Sequence, residues 1–315
     1  MENQVDVSIV FVNYKTPKMT LDAINSVIEK STGFSYEIIV VDNSNDSKEF
    51  EELMALVGDK ATVIDAKANL GFGKANNLGV SVSKGKYLFF LNTDTFLINN
   101  AIKELASYLD LNENVGIVGA NLYTKENEPN HSFHKKLKNI KADKADYSIF
   151  TSIRNKIIKD RVDFNFKGMP MEIEGYVCGA ALMIRHDLFD KMNGFEKDIF
   201  MYAEESLLCF RTINEFNYKI FNVPSAKIIH LEGGSFVKKV TDAKIDMYID
   251  GNYIYYKKAF GDNIALKYVK TMIKVISKKV KFAKIFKKDM VEELCAYIDG
   301  YKRKISKILD EERRA

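Results

Sequence analysis

The N-terminal half of the chain alternates short apolar runs with longer amphipathic stretches. "VSIVFVN" (7–13) and "YEIIVVDN" (36–43) are β-branched and too short for helices, the pattern of buried strands. "ATVIDA" (61–66), "KYLFFLN" (86–92) and "VGIVGANL" (115–122) repeat it. Between the first two, "PKMTLDAINSVIEK" opens on Pro17 and sets Met19, Ile24, Val27 and Ile28 at helical spacing. "SKEFEELMALVG" and "AIKELASYLDL" also read as helices. Strict alternation with buried strands predicts a mostly parallel sheet, α/β in class, with helices on both faces. Ligands of such sheets sit beyond the C-terminal strand ends. Asn13, Asp42, Asn69 and Asp94 all fall at or just after such ends.

After Tyr123 the periodicity fades, and residues 124–170 read as a polar insertion. The core resumes at the strand-like "EIEGYVCGAALMIR" (172–185), followed by a helix in "MYAEESLLCFRTINEF" (201–216). "YKIFNVP" (218–224) and "AKIIHLEGGS" (226–235) read as the last two strands. The expected division is a catalytic domain over 1–238 and a basic, helical region over 239–315.

Composition adds three points. Hydrophobic residues at 46% and charged residues at 29% exclude a disordered chain. Three scattered cysteines make neither a disulfide framework nor a zinc spacing. No basic, apolar leader opens the sequence and no run approaches the roughly 20 apolar residues that span a bilayer, so a cytoplasmic protein is expected. The net charge of +4 is unevenly spread: nine lysines and no acid lie between Lys267 and Lys288. Within 264–288 the apolar positions 265, 268, 269, 272, 275, 276, 283 and 286 follow helical spacing. Such a helix either lies on an anionic membrane surface or packs on the protein with a solvated lysine face. No nucleic-acid recognition motif accompanies it.

"NLGFGKANNLG" (69–79) invites a phosphate-binding reading that fails in detail. A P-loop needs GxxxxGK[ST], but Ala75 follows Lys74 and no glycine stands five positions before Gly73. A dinucleotide fingerprint needs a third glycine where Asn76 stands, and it follows the first strand, not the third. What remains is a turn allowing close backbone approach, with neutral amides suited to a nucleobase or sugar. The alternative is a glycine-rich helix entry capped by asparagines.

Six segments in order, "VSIVFVNYKTP", "EIIVVDNSNDS", "NLGFGKANNLGV", "GKYLFFLNTDT", "GYVCGAALMIRHDLFDKMNGFEKDIFMYAEESLLCFR" and "HLEGGS", resemble the inverting family 2 glycosyltransferases of the GT-A fold. The likeness is greatest to a rhamnosyltransferase-like subgroup. It implies transfer of a sugar from a dTDP- or UDP-linked donor to a glycan or lipid-linked glycan at the inner face of the cell membrane. A Mg²⁺ or Mn²⁺ ion would neutralise the departing diphosphate.

The resemblance also distributes roles. Asp94 is the expected metal ligand, in Asn92-x-Asp94 where the family has Asp-x-Asp, and His230 completes the metal site or is a core histidine. Asn13, Tyr14 and Asp42 would flank the nucleobase and ribose. Asn69, Gly71, Asn77, Asn92 and Thr93 would line the donor, with Gly233, Gly234 and Ser235 along its diphosphate. Glu204 and Glu205 fall on the family's Glu-Asp pair, with Glu205 as base and Glu204 holding the acceptor or the helix. Acids at a helix start also simply complement its dipole. Leu207 replaces a further acid of the pattern, so a catalytically weak partner subunit is an alternative reading.

Overall fold

The computed structural model describes residues 5–146, 163–231 and 241–314, and these divide into two compact units. The first holds residues up to 137, 163–200 and the chain from 204 to the end of its last strand. Its strands are β1 (Val7–Asn13), β2 (Tyr36–Asp42), β3 (Thr62–Asp65), β4 (Tyr87–Leu91), β5 (Thr95–Leu97) and β6 (Val115–Tyr123). There follow β7 (Pro129–Asn130), β8 (Phe133–His134), β9 (Met171–Glu172), β10 (Tyr176–Val177), β11 (Ala181–Arg185) and β12 (Lys219–His230). The helices are α1 (Pro17–Lys30), α2 (Ser47–Val57), α3 (Phe72–Val80) and α4 (Ala101–Leu111). The helix α5 (Ile140–Asp146) belongs to the second unit; α6 (His186–Lys191) and α7 (Glu204–Asn214) return to the first.

The main sheet runs β3-β2-β1-β4-β11-β6-β12-β5. Pairing is parallel from β3 through β4 and between β6 and β12, whereas β11 lies antiparallel to both β4 and β6. The sheet is therefore mixed but mostly parallel. Alternate side chains feed two separate cores. Val7, Ile9, Phe11, Phe89 and Met183 meet α1, α2 and α4 on one face. Val10, Leu88, Phe90, Leu182 and Ile184 meet α3, α6 and α7 on the other. Helices thus cover both faces, as the alternation predicts.

Two expected elements are redrawn. The apolar run 172–185 is broken at Cys178–Ala180, leaving β9, β10 and β11 as separate strands. The two expected last strands are one, β12, continuous through Pro224 with a register shift between Val223 and Lys227. A bulge lets a strand accept a proline that donates no hydrogen bond.

The second unit contains α5, α8 (Asp242–Phe260), α9 (Asp262–Phe286) and α10 (Val291–Arg314). It includes residues 138–146 of the expected insertion and Met201–Ala203, so the division is not the simple one at 238. Tyr255 and Tyr256 of α8 donate to the Lys138 carbonyl (3.1 Å) and the Asp143 carboxyl (2.8 Å), fastening α5. The apolar stripe of 264–288 is mostly interior here: Ala265, Tyr268, Val269, Met272, Ile276 and Ala283 are buried. Those positions are core, and no membrane can reach them in the folded unit. Among the described residues no helix is long and apolar enough to cross a membrane.

Candidate active site

The C-terminal strand ends build the site from paired polar residues. Asn13 and Asp42 close β1 and β2 opposite each other in the parallel register, and both are fully buried. Asn13 Nδ2 donates to Asp42 Oδ1 at 2.9 Å, while Asn13 Oδ1 accepts from the Thr20 hydroxyl at 2.9 Å. The Ser44 hydroxyl donates to Asp42 Oδ2 at 2.8 Å. A buried carboxylate so saturated is held in one orientation. Tyr14 next to it is only partly buried, with the Lys15 ammonium 5.9 Å from its ring centre.

Two residues at this end carry no signal in the motif reading. Asp46 caps α2 by accepting from the N–H groups of Lys48 and Glu49, which sets Glu49 in the first turn. Burial, and after it the charge of Asp42, hold the Glu49 carboxyl above the usual carboxylate range. Its Oε1 is buried and makes no hydrogen bond. Asn43 accepts from the Leu70 N–H at 2.7 Å and donates to Asn69 Oδ1 at 3.1 Å and to the Gly71 carbonyl at 3.3 Å. A polar run after a strand is the only local sign of either.

The glycine-rich stretch proves to be a clamp as much as a lining. Asn69 is exposed, and its Oδ1 also takes the Gly71 N–H at 3.1 Å. Gly71 precedes α3 at φ 78°, ψ −176°, a region essentially closed to side chains. A Cβ there would lie 2.0 Å from the Phe200 carbonyl oxygen, which accepts the Phe72 N–H at 3.0 Å. Both amide atoms of Asn77 are engaged by backbone. Its Nδ2 donates to the Phe195 carbonyl and its Oδ1 accepts the Phe195 N–H, both at 2.9 Å. Asn76 is likewise turned inward, donating to the Phe72 carbonyl at 3.0 Å. Together these contacts tie α3 to the segment 195–200 that leads into the acidic pair.

Glu204 and Glu205 open α7. Tyr202 and Ala203, just before them, both sit in the left-handed region, at φ 73° and 72°. Two such non-glycine residues in succession store strain of about 1 kcal/mol or more each, as functional loops do. Glu204 is buried, its stem near Gly73 of α3. Glu205 is half-buried against Gly179, in the break between β10 and β11. The Ser206 hydroxyl lies 3.4 Å from Glu205 Oε1.

The break also reaches the next strand end. The Ala180 carbonyl accepts the Asn92 N–H at 3.0 Å, so the residue after Gly179 is tied to the start of the loop Asn92-Thr93-Asp94. Thr93 and Asp94 are buried, and the Thr93 hydroxyl lies 3.4 Å from that of Thr16. Antiparallel pairing of β12 with β5 sets His230 opposite Thr95. His230 Nε2 then lies 3.4 Å from Asp94 Oδ1.

That spacing tests the metal reading. Two neighbouring ligands of one cation, each about 2.1 Å from it, stand about 3–3.5 Å apart. Among the described residues no third His, Cys, Asp or Glu joins them. The Asp94 oxygen, with the rest supplied by water and diphosphate, fits Mg²⁺ or Mn²⁺, and the adjoining imidazole favours the softer Mn²⁺ of the two.

A family model described as glycosyl transferase family 2 matches residues 8–191. The chain belongs to glycosyl transferase family 2. It is 25% identical over 243 residues to the poly(ribitol-phosphate) beta-N-acetylglucosaminyltransferase TarP of Staphylococcus aureus (strain N315), covering 70% of this chain and 74% of that protein. To the rhamnosyltransferase WbbL of Escherichia coli (strain K12) it is 26% identical over 175 residues, covering 51% and 60%. Three uncharacterised glycosyltransferases are matched over only 15%, 41% and 38% of their own length, so the chain spans less than half of those relatives. Among solved structures, the mannosyltransferase PcManGT of Pyrobaculum calidifontis, in complex with GDP-Man and Mn²⁺, aligns with a TM-score of 0.53 at 12% identity, covering 96% of this chain and 87% of that one. The architecture is GT-A.

Beyond the matched residues, Leu207, at the position of the missing acid, is buried core. Cys209 is buried too, and burial raises its thiol far above the ordinary range. Arg211 bonds the Met192 carbonyl at 2.8 Å and pairs with Glu215 at 3.0 Å, a structural role. Gly233, Gly234 and Ser235 lie outside the described residues.

Proposed function

We propose that this family 2 domain is an inverting, metal-assisted glycosyltransferase acting in bacterial surface polysaccharide synthesis. The carrying observation is the short path Glu205–Gly179–Ala180–Asn92, a chain of contacts from a half-buried carboxylate to the loop that bears Asp94, and it supports this reading. Glu205 takes the proton of the acceptor hydroxyl. The acceptor oxygen bonds to the anomeric carbon on one face as the sugar–phosphate bond breaks on the other, and its electron pair leaves with the nucleoside diphosphate. Asp94 and His230 would hold Mg²⁺ or Mn²⁺, which supplies Lewis-acid neutralisation of that diphosphate. Asp42, held by Asn13 and Ser44, is assigned to the nucleobase or ribose side of the donor pocket. Asn69, Asn92, Thr93, Gly71 and Tyr14 complete the donor side. Asn77 and Glu204 are assigned to holding the acidic loop.

The favoured donor is dTDP-L-rhamnose, in keeping with the likeness to the rhamnosyltransferase WbbL. A UDP-sugar is the second reading, and the TarP match, which covers more of the chain, favours N-acetylglucosamine within it. The acceptor is a glycan or lipid-linked glycan. A lipid-linked acceptor would bring the protein to the inner face of the cell membrane.

The test is sugar transfer with dTDP-rhamnose, UDP-N-acetylglucosamine, UDP-galactose and GDP-mannose, with and without Mn²⁺, beside donor binding by thermal shift. Transfer that is lost in Glu205→Gln while metal-dependent donor binding persists supports the proposal. Transfer retained in that variant assigns the base elsewhere. Donor binding without transfer in the wild type favours the weak partner subunit.

A further inference from the structure

We infer that the outward face of α9 is a docking surface for an anionic lipid bilayer. The inference stands apart from the catalytic proposal, because it rests on the helical unit alone. The buried side of α9 is accounted for by its apolar stripe. On the opposite side Lys267, Lys270, Lys274, Lys278 and Lys281 recur at spacings of three and four residues, and all five are exposed. At 100° per residue they fall within about 80° of one another, a single line roughly 21 Å long. Ile285 continues the same line, 71% exposed, and Phe286 beside it is 67% exposed, with the Phe282 ring tilted against its own at 4.6 Å between centroids.

Pairing in the same unit sets this line apart. Lys257 meets Asp262 at 2.8 Å, Arg303 meets Asp246 at 2.8 Å, Lys304 meets Asp250 at 2.9 Å, and Lys302 meets Asp299 at 3.0 Å. Among the described residues no carboxylate lies within ion-pair distance of the five lysines of the line. The acid nearest in sequence, Asp262, is already paired with Lys257, and Glu292 and Glu293 are exposed in the first turn of α10. The partner must therefore supply the negative charge, and over a length of about 21 Å.

Charge complementarity fits any polyanion; the end of the line narrows the choice. A leucine-sized side chain and a phenylalanine left in water at the tip of a lysine row suit an interface of phosphate headgroups over acyl chains. A nucleic acid or an anionic polysaccharide offers the lysines their counter-charge but nothing for Ile285. Each lysine near an anionic surface contributes roughly a five-fold gain in partitioning at physiological salt.

The experiment is co-sedimentation of the full chain with vesicles of phosphatidylcholine alone or with 30% phosphatidylglycerol, at low and high salt. Expected are binding only to the anionic vesicles, loss at high salt, and a drop of about 100-fold in Lys270→Gln/Lys274→Gln/Lys278→Gln. The exposed pair variant Ile285→Ser/Phe286→Ser should weaken vesicle binding several-fold yet leave binding to double-stranded DNA, the polyanion control, unchanged. All replaced side chains are exposed, so unfolding temperatures should match the wild type and confirm folded variants. Equal binding to neutral vesicles, no binding to anionic ones, or full binding by the triple variant overturns the inference. Unaltered vesicle binding by the Ile285/Phe286 variant, with DNA bound equally well, overturns it in favour of a general polyanion surface.

Discussion

Replacing Gly71 by alanine should damage the catalytic loop more than any change of equal size on the surface. At φ 78°, ψ −176° the substitution forces a side chain into a region kept for glycine, at a cost of about 1–3 kcal/mol. The new Cβ lies 2.0 Å from the Phe200 oxygen and needs at least about 3 Å, so one backbone must retreat by roughly 1 Å. That movement breaks the Phe72–Phe200 bond, worth about 1 kcal/mol more. The total is about 2–4 kcal/mol, which for a unit of roughly 210 residues lowers Tm by about 4–16 °C. Phe200 stands four residues before Glu204, and a 1 Å misplacement of a catalytic group costs on the order of 100-fold in rate. Thermal unfolding and steady-state transfer, measured well below the transition, read the two effects separately. Gly168→Ala is the control for conformation alone, since Gly168 has φ 70° with no atom within 4 Å of a built Cβ, and it should cost about 1 kcal/mol with no loss of rate. A Gly71→Ala protein with Tm within about 2 °C of wild type and unchanged kcat would refute the clamp.

Other perturbations separate the roles assigned around the site. Asn77→Ala removes both bonds to the Phe195 backbone and should cost about 2 kcal/mol, lowering kcat while the KM for donor holds; a raised KM with constant kcat would return Asn77 to the donor pocket. Asp94→Asn should abolish the extra thermal stabilisation that Mn²⁺ adds to donor binding, leaving the ligand-free Tm within about 2 °C; undiminished metal dependence would exclude Asp94 as ligand. Asp143 tests pH dependence in the helical unit. Burial raises its carboxyl above the usual range, against the opposing pull of Lys138 and the Tyr256 hydroxyl. The folded state then holds a proton that the unfolded state releases, so its contribution is full below about pH 4 and declines as pH rises towards the raised value. The Tm of Asp143→Asn relative to wild type should therefore climb between about pH 4 and neutrality, and a constant difference would refute the assignment.

Much of the fold was legible because strand and helix periods are local. The runs at β1, β2, β4 and α4 end within a residue of their expected bounds. Strand direction was not legible: β11 is antiparallel, yet inward and outward alternation is identical in either sense. For a different reason, the backbone contacts of Asn77 were not legible either. Its partner Phe195 is 118 positions away, and nothing in "ANNLG" distinguishes an amide that grips backbone from one that meets a ligand. Nothing local marks Glu49, whose carboxyl is perturbed by burial and by Asp42 of the neighbouring strand. The stripe in α9 had the right period with an undetermined partner, because a helix packed on helices and one lying on lipid share the period of 3.6.

The register of β12 has a consequence for how this chain can vary by insertion and deletion. The strand pairs with β6 on both sides of an irregular step between Val223 and Lys227, and beyond that step its last three residues also pair with β5. Side chains along a strand alternate in direction, so one residue lost within 224–226 without a compensating change would turn His230 to the opposite face. The core helices would keep their sequences, and Asp94 would keep its place after β4. Only the meeting of Asp94 with His230 would be gone. Chain length between Val223 and His230 is thus inherited with the histidine, and a relative that has lost one should have altered the other.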